Sequence, residues 1–103
     1  MATRKEKELT KSYTESLHQR LAADTEEAAA YLDAALADGD PQVFLLALRD
    51  VAEARGFSQL AKDAELNRES LYRMLSEQGN PRLSSLGALL HTLGLRLSVR
   101  SES

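Results

Sequence analysis

The chain has no cysteine, no tryptophan and no isoleucine, and only three valines and two prolines among its 103 residues. Without cysteine, neither a disulfide framework nor a thiolate metal site can form. The two histidines, His18 and His91, are too isolated to suggest a zinc site, so no metal and no cofactor are expected. No apolar run approaches the roughly 18 residues of a membrane span. The basic start (Arg4, Lys5) is followed by no apolar stretch, so no secretory signal is expected. A reducing, cytoplasmic setting follows as the expectation. Scarcity of β-branched apolar residues argues against a sheet protein.

What is abundant points the same way. Nineteen residues are Leu and fifteen are Ala, both strong helix formers. At this length one all-α domain is expected, with one small core. The net charge of −3 is unevenly spread: residues 1–40 carry five Lys/Arg and nine Asp/Glu (−4), residues 41–103 eight and seven (+1). DNA affinity, if present, must come from a local patch in the second half.

Residues 1–11 alternate charges around a single Leu9 and read as a flexible tail, with the domain proper spanning 12–103. Ser12 and Glu15 fit a capping box, starting a short helix that carries Leu17 and Leu21. Asp24 is a cap for a second helix, with Ala28, Tyr31, Leu32, Ala35 and Leu36 on one face. Gly39 ends it. Asp40 then caps a third helix over 41–55, with Pro41 in its first position. Phe44, Leu45, Leu48, Val51 and Ala52 are its expected buried stripe. Two short helices follow, one capped by Ser58, the other by Asn67. After a Gly79-Asn80-Pro81 turn comes a last helix over 83–93, with Leu83, Leu86, Leu89, Leu90 and Leu93 inward. Residues 95–100 alternate apolar and polar, the period of a strand. A lone strand cannot satisfy its own backbone. The economical partner is the same strand of a second copy, which predicts a homodimer. The alternative is a tail that packs on the helices or stays irregular.

Residues 57–76 carry the functional signal. Two short helices joined by a tight turn must bury a shared corner, and Leu60, Ala61, Ala64, Leu66, Leu71, Met74 and Leu75 supply it. This is a helix-turn-helix layout, whose second helix can enter a DNA major groove. Arg68, Glu69, Tyr72 and Arg73 then face outward. Arg68 and Arg73 suit the O6/N7 edge of guanine, and Glu69 suits cytosine N4. Tyr72 suits a phosphate or a thymine methyl. Ser58, Gln59, Asn67 and Ser70 sit at helix starts, where side chains and backbone N–H groups meet phosphates. Four of them have a plainer reading: Glu69 and Arg73 as an i,i+4 pair, Tyr72 as packing over the corner, Asn67 as a cap. Glu65 occupies a turn position where φ is expected to be positive and Gly is usual.

Beyond that motif, Ala30-Tyr31-Leu32, Asp38-Gly39-Asp40-Pro41, Leu48-Arg49-Asp50-Val51-Ala52, Arg55-Gly56, Ser58-Gln59-Leu60-Ala61, Asn67 through Arg73, Gly79-Asn80-Pro81 and Leu93 through Leu97 follow in order. Over residues 25–100 this resembles the probable addiction-module antidote proteins, HigA-like antitoxins with a lambda-repressor-type helix-turn-helix. The resemblance implies a five- to six-helix domain, a small RelE/ParE-type toxin as partner, and repression of the protein's own operon. It carries over Arg68, Glu69, Tyr72 and Arg73 as operator-reading positions and gives no motif for toxin contact. The acidic half, with Glu15, Asp24, Glu26, Glu27, Asp33 and Asp38, is the electrostatic choice for a basic toxin.

Two other functions compete. One is a free-standing, prophage-type repressor with identical chemistry at DNA and no toxin. The other is an adaptor that has lost DNA binding. An enzyme is not expected: there is no paired carboxylate–His cluster in the sequence pattern and no Gly-rich phosphate loop.

Overall fold

In the computed structural model, backbone structure is described for residues 4–76 and 78–102, and side chains from residue 12 onward. These residues form six α-helices: α1 (Arg4–Ala23), α2 (Thr25–Ala37), α3 (Pro41–Arg55), α4 (Phe57–Asp63), α5 (Arg68–Met74) and α6 (Leu83–Thr92). No strand occurs among the described residues. The expected all-helical class is observed.

The first helix is longer than its sequence signals indicate. It begins at Arg4, so Ser12 lies inside it and does not cap it. No Gly or Pro interrupts residues 4–23, and good helix formers dominate, so nothing halts the helix before Asp24. Of the expected tail, residues 1–3 lie outside the described residues. Asp24 serves two helices. Its N–H bonds to the Arg20 carbonyl (3.1 Å), and its Oδ1 accepts from the N–H groups of Glu26 and Glu27 (2.9 and 3.4 Å). Asp40 Oδ1 accepts from the Gln42 N–H (2.9 Å) with Pro41 in the first turn, as its sequence implies.

Helix α3 is the axis of the fold and packs against α1, α2 and α4. That is why Ala47 is buried together with the expected Phe44, Leu45, Leu48, Val51 and Ala52. A helix covered on three sides needs a wide apolar face. Leu21 from α1, Ala28 and Leu32 from α2, and Leu89, Leu90 and Leu93 at the α6 end complete one core with α4 and α5. Two residues expected to face inward are exposed, Leu36 at 50% and Leu83 at 72%, and Ala64 and Leu66 are half-buried. Leu83 opens α6 and Leu36 lies in the last turn of α2, where it lines a groove instead of being covered.

Gly56, at φ 94°, closes α3 and immediately opens α4, donating to the Ala52 and Glu53 carbonyls (2.9 and 3.2 Å). After α6, residues 95–102 form no regular element. Leu95 packs on the core, and Arg100 Nη2 donates to Asp33 Oδ2 at 3.0 Å. In this single chain the expected 95–100 strand is not formed; a strand there needs backbone partners that one copy does not provide.

Candidate nucleic-acid interface

Helix α4 ends in a Schellman motif. The Leu66 N–H reaches the Ala61 carbonyl (2.8 Å), the Glu65 N–H reaches the Lys62 carbonyl (3.2 Å), and Glu65 adopts φ 57°. Glu65 is the one non-glycine with positive φ among the described residues. The positive φ anticipated at this turn is therefore present, carried by a residue that has no intrinsic preference for it. Asn67 then caps α5, its Oδ1 accepting from the Ser70 N–H at 2.6 Å.

Leu60 and Ala61 of α4, with Leu71 and Leu75, are buried in the corner, and Met74 is half-buried. Their burial turns Arg68, Glu69, Tyr72 and Arg73 outward, where all four are exposed. Ser70 is half-buried and its N–H is held by Asn67.

Local contacts sort the outward residues. The Tyr72 ring stacks on Phe57, 4.3 Å between centroids and 9° from parallel. The Arg68 guanidinium lies 5.6 Å from the Tyr72 centroid, and its Nη2 donates to the Tyr72 hydroxyl oxygen at 3.3 Å. A column thus rises from buried Phe57 through Tyr72 to Arg68. It orders the arginine through a cation–π contact worth about 0.5–1 kcal/mol at an exposed site. Tyr72 packs over the corner with its hydroxyl outward. Among the described residues, Glu69 and Arg73 form no ion pair.

At the start of α4, Ser58 is not the cap its sequence position suggests. The helix begins at Phe57 with Gly56 in the capping position, so Ser58 lies in the first turn and makes no cap hydrogen bond. Ser58 is exposed. Gln59 is exposed but engaged, its Nε2 donating to Asp63 Oδ1 at 2.8 Å.

Beside α5 lies an open cleft of about 740 Å³, lined among others by Ser70, Arg73, Asn80, Arg82 and Ser85. Two guanidinium groups and three neutral hydrogen-bonding side chains make it an anion-accepting surface. Arg82, Asn80 and Ser85 did not stand out in the sequence. The signal was local: an arginine directly after the Gly79-Asn80-Pro81 turn, brought alongside α5 as the chain reverses. Gly79 is required there, because a Cβ would press into the Met74 carbonyl and lie 2.9 Å from that of Ser76.

A second polar cluster lies elsewhere, among α1, α2 and α3. His18 Nε2 is 3.8 Å from Glu53 Oε2, Arg49 Nε donates to Glu53 Oε1 at 3.2 Å, and the Tyr31 hydroxyl donates to Asp50 Oδ2 at 2.6 Å. His18, Asp50 and Glu53 hold their ligand atoms within 4.8 Å of one another. Each already has a protein partner, and Arg49 brings a positive charge against Glu53, which disfavours a cation. Desolvation, and then the bond to the Asp50 carboxylate, push the Tyr31 phenol up to about 12.

Among the described residues no helix is long and apolar enough to cross a membrane. The family profile of probable addiction module antidote proteins matches residues 14–101. An uncharacterized protein of Haemophilus influenzae is 39% identical over 77 residues, covering 75% of this chain and 79% of the relative. No solved structure matches. The profile spans every helix from the later turns of α1 to the end of α6, and the chain belongs to the family of probable addiction module antidote proteins.

Proposed function

We propose that the protein is the DNA-binding antitoxin of a type II toxin–antitoxin module. In this reading it neutralises a small RelE/ParE-type toxin and represses its own operon through a helix-turn-helix made of α4 and α5. The observation that carries the DNA half is the presentation of α5: Leu71 and Leu75 are buried, while Arg68, Glu69, Tyr72 and Arg73 form its outer face. Arg73 and Arg68 read guanine, with Arg68 set in place by the Phe57–Tyr72 stack. Arg82 and the cleft beside it take a phosphate. Family membership supports the antidote half, since an antidote implies a toxin.

The active form in this reading is a homodimer of lambda-repressor-like subunits. The C-terminal segment leaves Val99 99% exposed and Leu97 42% exposed, an apolar alternation without a partner in one copy. Beside it runs a groove lined by Pro41, Phe44, Pro81, Leu86 and Leu97, among others. Pairing of two such segments gives two α5 helices on one DNA face, about one helical turn or a multiple of it apart. The operator is then an inverted repeat.

Footprinting on the DNA upstream of the gene tests this reading. Arg73→Ala is expected to weaken operator binding by about 1–3 kcal/mol and to relax one base position in each half-site. Equal weakening on all sequences would make Arg73 a phosphate contact, and no protection by the wild type would remove the DNA reading.

A further inference from the structure

The charges of the chain divide by element. Residues 12–55, from the later turns of α1 to the end of α3, carry nine Asp/Glu and three Arg, whereas residues 56–103 carry five Asp/Glu and six Lys/Arg. The proposed DNA surface lies in the second set. The strongly acidic first set has no role in it.

Within the acidic part, α2 and α3 leave a shallow groove of about 530 Å³ between them. Tyr31, Val43, Leu46 and Ala47 line it, with Asp38 and Asp50 among its walls. Leu46 is 50% exposed on a helix whose neighbours Leu45 and Ala47 are buried. Tyr31 and Val43 are half-buried, so each leaves part of its side chain open to the groove. Aromatic and aliphatic side chains offered together to solvent, rimmed by charge of one sign, mark a protein-binding surface. The groove shares no lining residue with the grooves beside the C-terminal segment. It is therefore a surface separate from the proposed dimer contact.

We infer that this α2–α3 groove receives a cationic amphipathic helix of the toxin. Its apolar face would lie over Leu46, Val43 and Tyr31, and its Lys or Arg residues would meet Asp38 and the surrounding acidic field. Charge complementarity selects this occupant over a second copy: two copies meeting through this face would oppose acidic surfaces. A helix laid in an apolar groove is a recurring recognition mode, anchored by residues spaced one turn apart. The inference rests on the antitoxin reading.

The test is calorimetric titration of the purified product of the small reading frame adjacent to the gene into the full-length chain. Leu46→Glu is expected to weaken binding at least tenfold, Asp38→Lys about threefold or more with a shallower salt dependence, and the distant Leu83→Glu less than twofold. Leu46 and Leu83 are both exposed, and unchanged circular dichroism together with retained operator binding excludes misfolding. Wild-type binding that Leu46→Glu leaves intact would overturn the groove and leave the antitoxin reading standing. A wild type with no affinity for the adjacent product would overturn both. Loss of dimerisation in Leu46→Glu, with toxin binding unchanged, would assign the groove to a second copy instead.

Discussion

Replacing Glu65 with glycine is expected to stabilise the protein. Two helices of this chain end in the same Schellman motif. At the end of α6, the Leu95 N–H reaches the Leu90 carbonyl (2.7 Å), the Gly94 N–H reaches the His91 carbonyl (2.9 Å), and Gly94 adopts φ 80°. At the end of α4 the same bonds form around Glu65 at φ 57°. A left-handed conformation costs a residue with a Cβ about 1–2 kcal/mol. Glycine removes that strain but loses about 0.5–1 kcal/mol through the greater freedom of its unfolded chain. The net gain is about 0.5–1 kcal/mol, which raises Tm by roughly 2–8 °C in a domain of this size. The Glu65 side chain is exposed, so nothing packed is lost. The mirror substitution, Gly94→Ala, places its Cβ 3.7 Å from Thr25 Cγ2, an ordinary contact. Its cost is therefore the backbone term alone, about 0.5–1 kcal/mol in the opposite direction. Thermal denaturation followed at 222 nm reads both. Glu65→Ala is the control that keeps the strain and removes the charge. A Glu65→Gly protein that melts no higher than wild type would refute the strain argument. Equal stabilisation by Ala and Gly would assign the gain to the carboxylate instead.

Gly79→Ala should lower stability by about 1–3 kcal/mol in urea denaturation, because its Cβ meets backbone carbonyls that cannot swing away; a neutral result would show that the turn after α5 is plastic. Tyr31 should titrate near pH 12 by ultraviolet absorbance, and Tyr31→Phe should remove that phase. Its folded pKa is raised above the unfolded value of 10.0, so its contribution to stability is full below pH 10 and is lost as pH rises towards 12. A wild type that loses no more stability than Tyr31→Phe across that window would contradict the Tyr31–Asp50 bond. Removal of residues 95–103 should lower the dimer fraction in sedimentation and weaken operator binding with it; a truncated chain that still sediments as a dimer would remove the strand pairing.

The local signals were legible because they depend on neighbours in sequence. Asp24, Asp40 and Asn67 each cap the helix that follows, since a short acceptor side chain two or three residues ahead of free N–H groups has few other uses. The α3 stripe was legible from spacing, and so was the outward set on α5. What escaped depends on tertiary surroundings. Ser58 lost its capping role because Gly56 serves as the end of one helix and the start of the next. Leu36 and Leu83 fit their helical stripes but lie at helix ends that are left uncovered. Leu46 was passed over because nothing in a run of apolar residues shows which one is left uncovered. The Phe57–Tyr72–Arg68 column joins two helices, and only their crossing brings the rings together. The side of α5 that meets Arg82 likewise depends on how the Gly79-Asn80-Pro81 turn directs the chain.

The two halves of the molecule divide the work in this account. The acidic α1–α3 part offers an apolar groove to a basic partner, and the α4–α5 pair offers arginines to DNA. The measurement that reaches the central claim most directly is co-expression with the adjacent small reading frame, scored as surviving cells. The account predicts that the neighbour alone arrests growth and that this protein restores it, with Leu46→Glu failing to do so while still binding the operator. A neighbour that is harmless, or toxic and not relieved by the wild-type protein, would contradict it.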